Sequence, residues 1–190
     1  MKKAFPCRRH TVWRPVAQRS RAEIPRHFLP WLLDASSLTQ RLIAACGGVF
    51  RVRVLSLGWA RPLPDEYRRL GLPVGRLALV REVQLLCNEQ AWVYARTVIP
   101  RTTLSGRHRR LAHLGARPLG AALFADPTMQ RDAVEIAHSL AGSALFALAI
   151  QGLTSVPEQV WGRRSVFRVA GKPLLVSEIF LPEIASAPCG

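Results

Sequence analysis

Two pairs of long β-rich runs, each pair joined by a very short connection, constrain this chain more than any other feature. LALVREVQLLC and AWVYARTVIP meet at Asn88, Glu89 and Gln90, and VWGRRSVFRVAG and KPLLVSEIFLP meet around Gly171 and Lys172. Strands joined so closely run antiparallel, because a parallel connection needs a crossover of a dozen or more residues. VFRVRVLSLGWA alternates with the period of a strand, and TMQRDAVEIAHS is strand-like. Sequential hairpins with helices grouped on one side or at one end make an α+β layer architecture, not a βαβ one.

The helical segments lie between these runs. HFLPWLLDASSLTQRLIAACGG reads as two helices broken at Ser36 and Ser37, which are natural N-caps, with Gly47 and Gly48 as the stop. A helical turn is expected near Asp65–Leu70. TTLSGRHRRLAHLGARPLGAALFAD reads as two short helices broken around Gly115 and Pro118. From Ser139 to Pro157 no side chain is charged, but a membrane span needs about 20 predominantly apolar residues. Here the apolar run is shorter and is broken by Gly142 and Gly152, so a buried or flap-like helix followed by a loop is expected, in a soluble chain. No repeat or linker divides the 190 residues, which suit one core. A single domain over 27–185 preceded by a basic, partly disordered arm over 1–26 is the organisation expected.

That arm carries Lys2, Lys3, Arg8, Arg9, Arg14, Arg19, Arg21 and Arg26 against Glu23 alone, a large share of the net charge of +15. The charge attracts anions of every kind without choosing among them. The arm has no apolar h-region and so is not a secretory signal. With neither a recognition helix nor a stacking platform, no specific nucleic acid is expected as partner. Cys7, Cys46, Cys87 and Cys189 form no CxxC pair, so neither zinc nor a disulfide framework is indicated. Cys87 reads as a small core thiol, and the compartment as reducing. His10, His27, His108, His113 and His138 lack ligand spacing and read mostly as surface residues, while Asp34, Asp65 and Asp132 read as caps or turns. GxGxxG, GxxxxGK and GxSxG are absent, which leaves dinucleotide, P-loop and hydrolase-elbow chemistry without support. In Trp161-Gly162-Arg163-Arg164 the adjacent arginines must point to opposite faces of a strand.

Three charges interrupt apolar strand faces. Residues at i and i±2 share a face. Arg81 stands between Leu79 and Val83, Glu178 between Val176 and Phe180, and Arg96 between Tyr94 and Val98. A buried charge costs several kcal/mol unless paired. On residues alone, a core salt bridge between Arg81 and Glu178 and a binding site explain the pattern about equally well.

The segments WLLDASSLTQRL, LVREVQLLCNEQAWVYARTVIP, TLSGRHRRLAHLGARPLGAALF, TMQRDAVEIA and WGRRSVFRVAGKPLLVSEIFLP, in this order, resemble the chorismate pyruvate-lyase family, which opens the ubiquinone pathway in bacteria. The resemblance implies a single antiparallel sheet of about six strands flanked by helices, with helical flaps over an internal ligand site. It also implies a cytoplasmic, monomeric enzyme that needs no metal or organic cofactor and makes 4-hydroxybenzoate and pyruvate from chorismate. By the same resemblance Arg81 and the backbone amides of Leu38 and Leu119 hold the aromatic carboxylate, and Glu178 contacts the 4-hydroxyl, so that Arg81 and Glu178 are the catalytic candidates. The family position matching Leu38 can carry methionine, which a backbone contact tolerates. Arg96 is the candidate second cation, for the leaving enolpyruvate. The alternative is a sensor domain of the same fold that binds a small aromatic acid without turning it over.

Overall fold

A computed structural model describes residues 11–34 and 36–187. In chain order the elements are β1 (Arg14–Pro15), α1 (Leu29–Leu33), α2 (Leu38–Ala45), β2 (Phe50–Ala60), α3 (Pro64–Leu70), β3 (Ala78–Cys87), β4 (Gln90–Pro100), α4 (Leu119–Phe124), β5 (Gln130–Arg131), β6 (Glu135–Leu140), α5 (Ala144–Ala149), β7 (Gln159–Val169) and β8 (Lys172–Phe180). A 3-10 helix, Gly106–His113, precedes α4. The strands form one antiparallel sheet in the order β1-β6-β7-β8-β4-β3-β2, with β5 added against β7.

The sheet has eight strands, not about six. Two of them, β1 and β5, are two residues long, too short for any alternation to be read. The run TMQRDAVEIAHS is divided at Asp132, whose amide donates to the carbonyl of Val166 at 2.9 Å, so that it supplies both β5 and β6. Residues 1–10 of the expected arm lie outside the described residues. From Thr11 onward the chain packs on the sheet edge: Arg14 pairs with Ile136, the Trp13 indole donates to Asp65 at 3.1 Å, and Ile24 is buried.

Both hairpin turns are tight and left-handed, with φ of 49° and 65° at Asn88 and Glu89 and of 48° and 74° at Ala170 and Gly171. Such turns match the right-handed twist of the strands they join. On the β3–β4 hairpin the register then slips. Leu86 pairs with Ala91, but Leu85 pairs with Val93, leaving Trp92 as a bulge. Because strand side chains alternate, that one residue exchanges the faces of everything beyond it on β4. Arg81 consequently sits opposite Thr97, while Arg96 sits opposite Glu82 on the other side of the sheet.

Side chains fill both faces. One carries Leu79, Val83, Leu85, Ala95, Ile99, Phe167, Leu174 and Val176 beneath α1, α2, the 3-10 helix and α4. The other carries Val80, Tyr94, Val98, Val166, Leu175 and Ile179 beneath α3 and α5. Ser143 caps α5 by accepting from the Phe146 amide, so the uncharged segment does contain a short buried helix.

Cys46 and Cys87 form a disulfide with Cα atoms 5.7 Å apart, which corrects the reading of Cys87 as a free thiol. The turn at Gly47 and Gly48 returns the chain so that Phe50 pairs with Cys87, bringing the end of α2 beside the end of β3. Partners 41 residues apart offered no local spacing signal.

Candidate active site between two helical flaps and the sheet

A cavity of about 50 Å³ lies between the first sheet face and the two helical flaps, α1–α2 and the 3-10 helix with α4. Leu38, Arg81, Leu119 and Glu178 all line it, together with Arg131 and Arg163. A cavity holding a single aromatic ring measures about 150 Å³, so admission of a ring acid requires the flaps to part. Gly120 sets how near they come: a Cβ there would lie 3.2 Å from the Ser37 hydroxyl of the facing flap.

Arg81 rises from the middle of β3 and is 3% exposed. Its Nη2 donates to the carbonyls of Gly115 and Arg117 at 2.9 and 3.0 Å, which ties it to the loop before α4. Its Nε is buried and has no hydrogen-bond partner. No acid among the described residues pairs with it, and burial lowers its pKa. The core salt bridge with Glu178 is therefore not formed. A cation that lines a cavity, packs against neutral carbonyls and keeps an unpartnered donor has the chemistry to take up an anion.

The flaps add neutral donors. Leu38 is the first residue of α2 and Leu119 the first of α4, and neither helix start is capped by a side chain. Amides in the first turn of a helix have no partner within it. The first flap is pinned by Arg41, which donates to the Pro30 carbonyl at 2.7 Å and to Asp34. Burial pushes the Asp34 carboxyl up, but hydrogen bonds from Ser36 and the Arg41 guanidinium outweigh it and hold it at about 2.

Glu178, on β8, faces Arg163 across the β7–β8 pair, and Arg163 Nε donates to one of its carboxylate oxygens at 2.6 Å. Arg163 is 1% exposed, and its Nη1 also donates to the carbonyls of Trp31 and Asp34 in the first flap. One arginine thus fixes the glutamate and the flap together. Arg164 points the other way, to Glu135 and Asp65 at 2.7 Å each, as adjacent strand residues must.

Arg131 enters from β5. Its Nε donates to the Ser165 hydroxyl at 3.0 Å, and its guanidinium carbon lies 5.2 Å from the Phe167 ring centre. Burial, and then the nearby Arg163, lower its pKa.

Arg96 is not in this site. It lies on the opposite face, where Nε and Nη2 donate to Glu66 at 2.7 and 3.1 Å and Nη1 to Glu82 at 2.7 Å. Tyr94 also donates to Glu82, at 2.6 Å. Burial pulls the Arg96 pKa down, but the two glutamates more than offset this and raise it. The bulge at Trp92 is the cause of the misplacement. His108, read as a surface residue, is buried and sits 2.9 Å from Asp126, itself beside Arg107 and Thr128, a cluster that braces the second flap. His10 lies outside the described residues.

The residues that the sequence missed are Arg131 and Arg163. Arg163 shares its face with Trp161 and Ser165, a mixed face against which a charge does not stand out; Arg131 sits in a strand of two residues, where the i±2 rule has nothing to act on. Among the described residues no group of three or more His, Cys, Asp or Glu could hold a metal ion, and no helix is long and apolar enough to cross a membrane.

The family model described as Chorismate lyase matches residues 8–187. A probable chorismate pyruvate-lyase of Methylococcus capsulatus is 49% identical over 158 residues, covering 83% of this chain and 96% of that protein. One from Azoarcus sp. is 44% identical, covering 86% and 88%. Among solved structures, the effector domain of PhnF from Mycobacterium smegmatis aligns with a TM-score of 0.52 at 15% identity, over 80% of this chain and 91% of that one. The ligand-binding domain of a putative GntR-family transcriptional regulator from Bordetella bronchiseptica gives 0.52 at 19% identity, over 72% and 85%. These two likenesses concern the fold.

Proposed function

This chain belongs to the chorismate lyase family, and from that premise we propose that it eliminates pyruvate from chorismate to give 4-hydroxybenzoate, as the first step of ubiquinone biosynthesis in the cytoplasm. In the reaction the C3–O ether bond breaks and its electron pair leaves with the enolpyruvate oxygen. The C4 proton departs, a C3=C4 bond forms, and the ring becomes aromatic. The released enol takes a proton on carbon and becomes pyruvate. Aromatisation supplies the driving force, so the protein's task is orientation and charge placement.

The observation that carries this reading is Arg81, a buried, acid-free cation that lines the cavity and whose Nε has no hydrogen-bond partner. Its planar donors suit the ring carboxylate, and the amides of Leu38 and Leu119 reach the same group, which links flap closure to binding. Glu178 then stands at the 4-hydroxyl end. We propose that it orients this hydroxyl and accepts the C4 proton, with Arg163 as its positioning residue. Glu178→Gln is expected to lower kcat by about 100-fold; turnover near that of the wild type rules the base role out. A closed cavity also implies slow product release, so 4-hydroxybenzoate added to a progress curve is expected to inhibit strongly. In a reducing cytoplasm the Cys46–Cys87 bond is open, and turnover is expected with or without it. EDTA-treated protein given chorismate tests the reading: pyruvate and 4-hydroxybenzoate in equal amounts support it, and neither product overturns it.

A further inference from the structure

The substrate carries two carboxylates and the aromatic product only one, so a lyase of this kind needs a cation that serves the enolpyruvyl end and plays no part in holding the ring acid. Three arginines line the cavity, Arg81, Arg131 and Arg163, and the sequence offered Arg96 as a further candidate. Arg96 is on the far face with Glu66 and Glu82. Arg163 is committed to Glu178 and to the carbonyls of Trp31 and Asp34. Arg81 is placed for the ring carboxylate.

We propose that Arg131 receives the enolpyruvyl carboxylate and selects dicarboxylate substrates at this site; the inference rests on the lyase reading above. Arg81, Thr97, Val176 and Ser165 form one row across four adjacent strands. Three strand steps of about 4.8 Å separate its ends by roughly 14 Å. Arg81 rises from one end of the row and Arg131 is bonded to Ser165 at the other. Glu178 stands one residue pair along the sheet, opposite Ala95 on one side and Arg163 on the other. Arg81, Arg131 and Glu178 line one cavity, so a ring acid held at Arg81 has its ether side arm directed toward the Arg131 end of the row, with Glu178 between the two arginines along the sheet.

The anchoring of Arg131 also fits. A bond to the Ser165 hydroxyl and the Phe167 ring beneath it orient the guanidinium. A guanidinium held this way presents an oriented, planar cation to a carboxylate. As the ether bond breaks, charge develops on the enolate oxygen next to that carboxylate, so the same cation contributes more in the transition state than in the ground state.

The test separates this role from both a structural one and a failed lyase reading. Wild type, Arg131→Ala and Arg131→Lys are assayed for pyruvate release from chorismate and for affinity toward 4-hydroxybenzoate. Arg131→Ala is expected to lose about 100-fold or more in kcat/KM, with its 4-hydroxybenzoate dissociation constant within about threefold of wild type; Arg131→Lys, which keeps the charge but not the planar guanidinium, is expected to fall between. Turnover by Arg131→Ala within about threefold of wild type overturns the proposal and leaves the lyase reading standing. A parallel loss of 4-hydroxybenzoate affinity in both variants assigns Arg131 to the ring acid or to the fold and also overturns it. A wild type that releases no pyruvate overturns both readings at once.

Discussion

Arg81 and Arg96 stand on neighbouring strands of one hairpin, both almost wholly buried, and they lead opposite lives. Arg96 has Glu66 and Glu82 within 2.7 Å and Tyr94 bonded into the same network, so its charge is matched inside the protein. Arg81 has two backbone carbonyls and, among the described residues, no acid. The contrast teaches how to tell a structural buried cation from a functional one. A cation already neutralised by its neighbours belongs to the fold, and one that is not is the candidate for a ligand site.

The comparison can be broken most sharply at Arg81. Arg81→Met is expected to lower kcat/KM by roughly a thousandfold or more, since it removes the one charged grip on the ring acid. Its unfolding free energy is expected to change by no more than about 1 kcal/mol, because an unmatched buried cation disappears along with its two hydrogen bonds. Arg96→Met reverses the pattern. It strands Glu66, which is 2% exposed, and Glu82, and is expected to destabilise by about 3–5 kcal/mol while the folded enzyme keeps turnover within about threefold. Urea unfolding and steady-state assays on the same preparations read both quantities.

Reduction of the Cys46–Cys87 bond is expected to lower stability by up to about 4 kcal/mol, from loop entropy over 41 residues, and equally in wild type and both variants. A loss confined to Arg81→Met would mean that the flap, not the arginine, organises the site. The smallest effect is a pH dependence. Burial raises the Glu82 pKa, but Ser56, Tyr94 and Arg96 together lower it below the ordinary value. A carboxylate depressed in the folded state contributes stability present above its unfolded pKa and lost as pH falls through the folded one. The stability gap between wild type and Arg96→Met is therefore expected to shrink as pH drops below about 4.5, while that between wild type and Arg81→Met stays level. Acid titrations of urea midpoints check this.

Much of this contrast was legible in the residues. The two short turns imposed antiparallel hairpins, and the i±2 rule picked out Arg81 and Glu178 as charges among Leu79, Val83, Val176 and Phe180. The rule treated Arg96 identically because it depends on an unbroken register, and the bulge at Trp92 carries no distinct residue signature. Taken without the bulge, the turn at Asn88 and Glu89 would set Arg96 directly opposite Arg81, on the same face. Arg131 was hidden for another reason: its strand has two residues, and its place in the cavity comes from pairing with Phe167, 36 residues on. The disulfide likewise depends on a strand pairing that only the assembled sheet creates.

The most direct measurement is urea unfolding of wild type, Arg81→Met and Arg96→Met with and without saturating 4-hydroxybenzoate. A ligand at 100 times its dissociation constant stabilises by about 2.7 kcal/mol. That gain is expected in wild type and, from a lower baseline, in Arg96→Met, with none in Arg81→Met. An equal gain in all three would contradict the account, because the ring acid would then be held without Arg81.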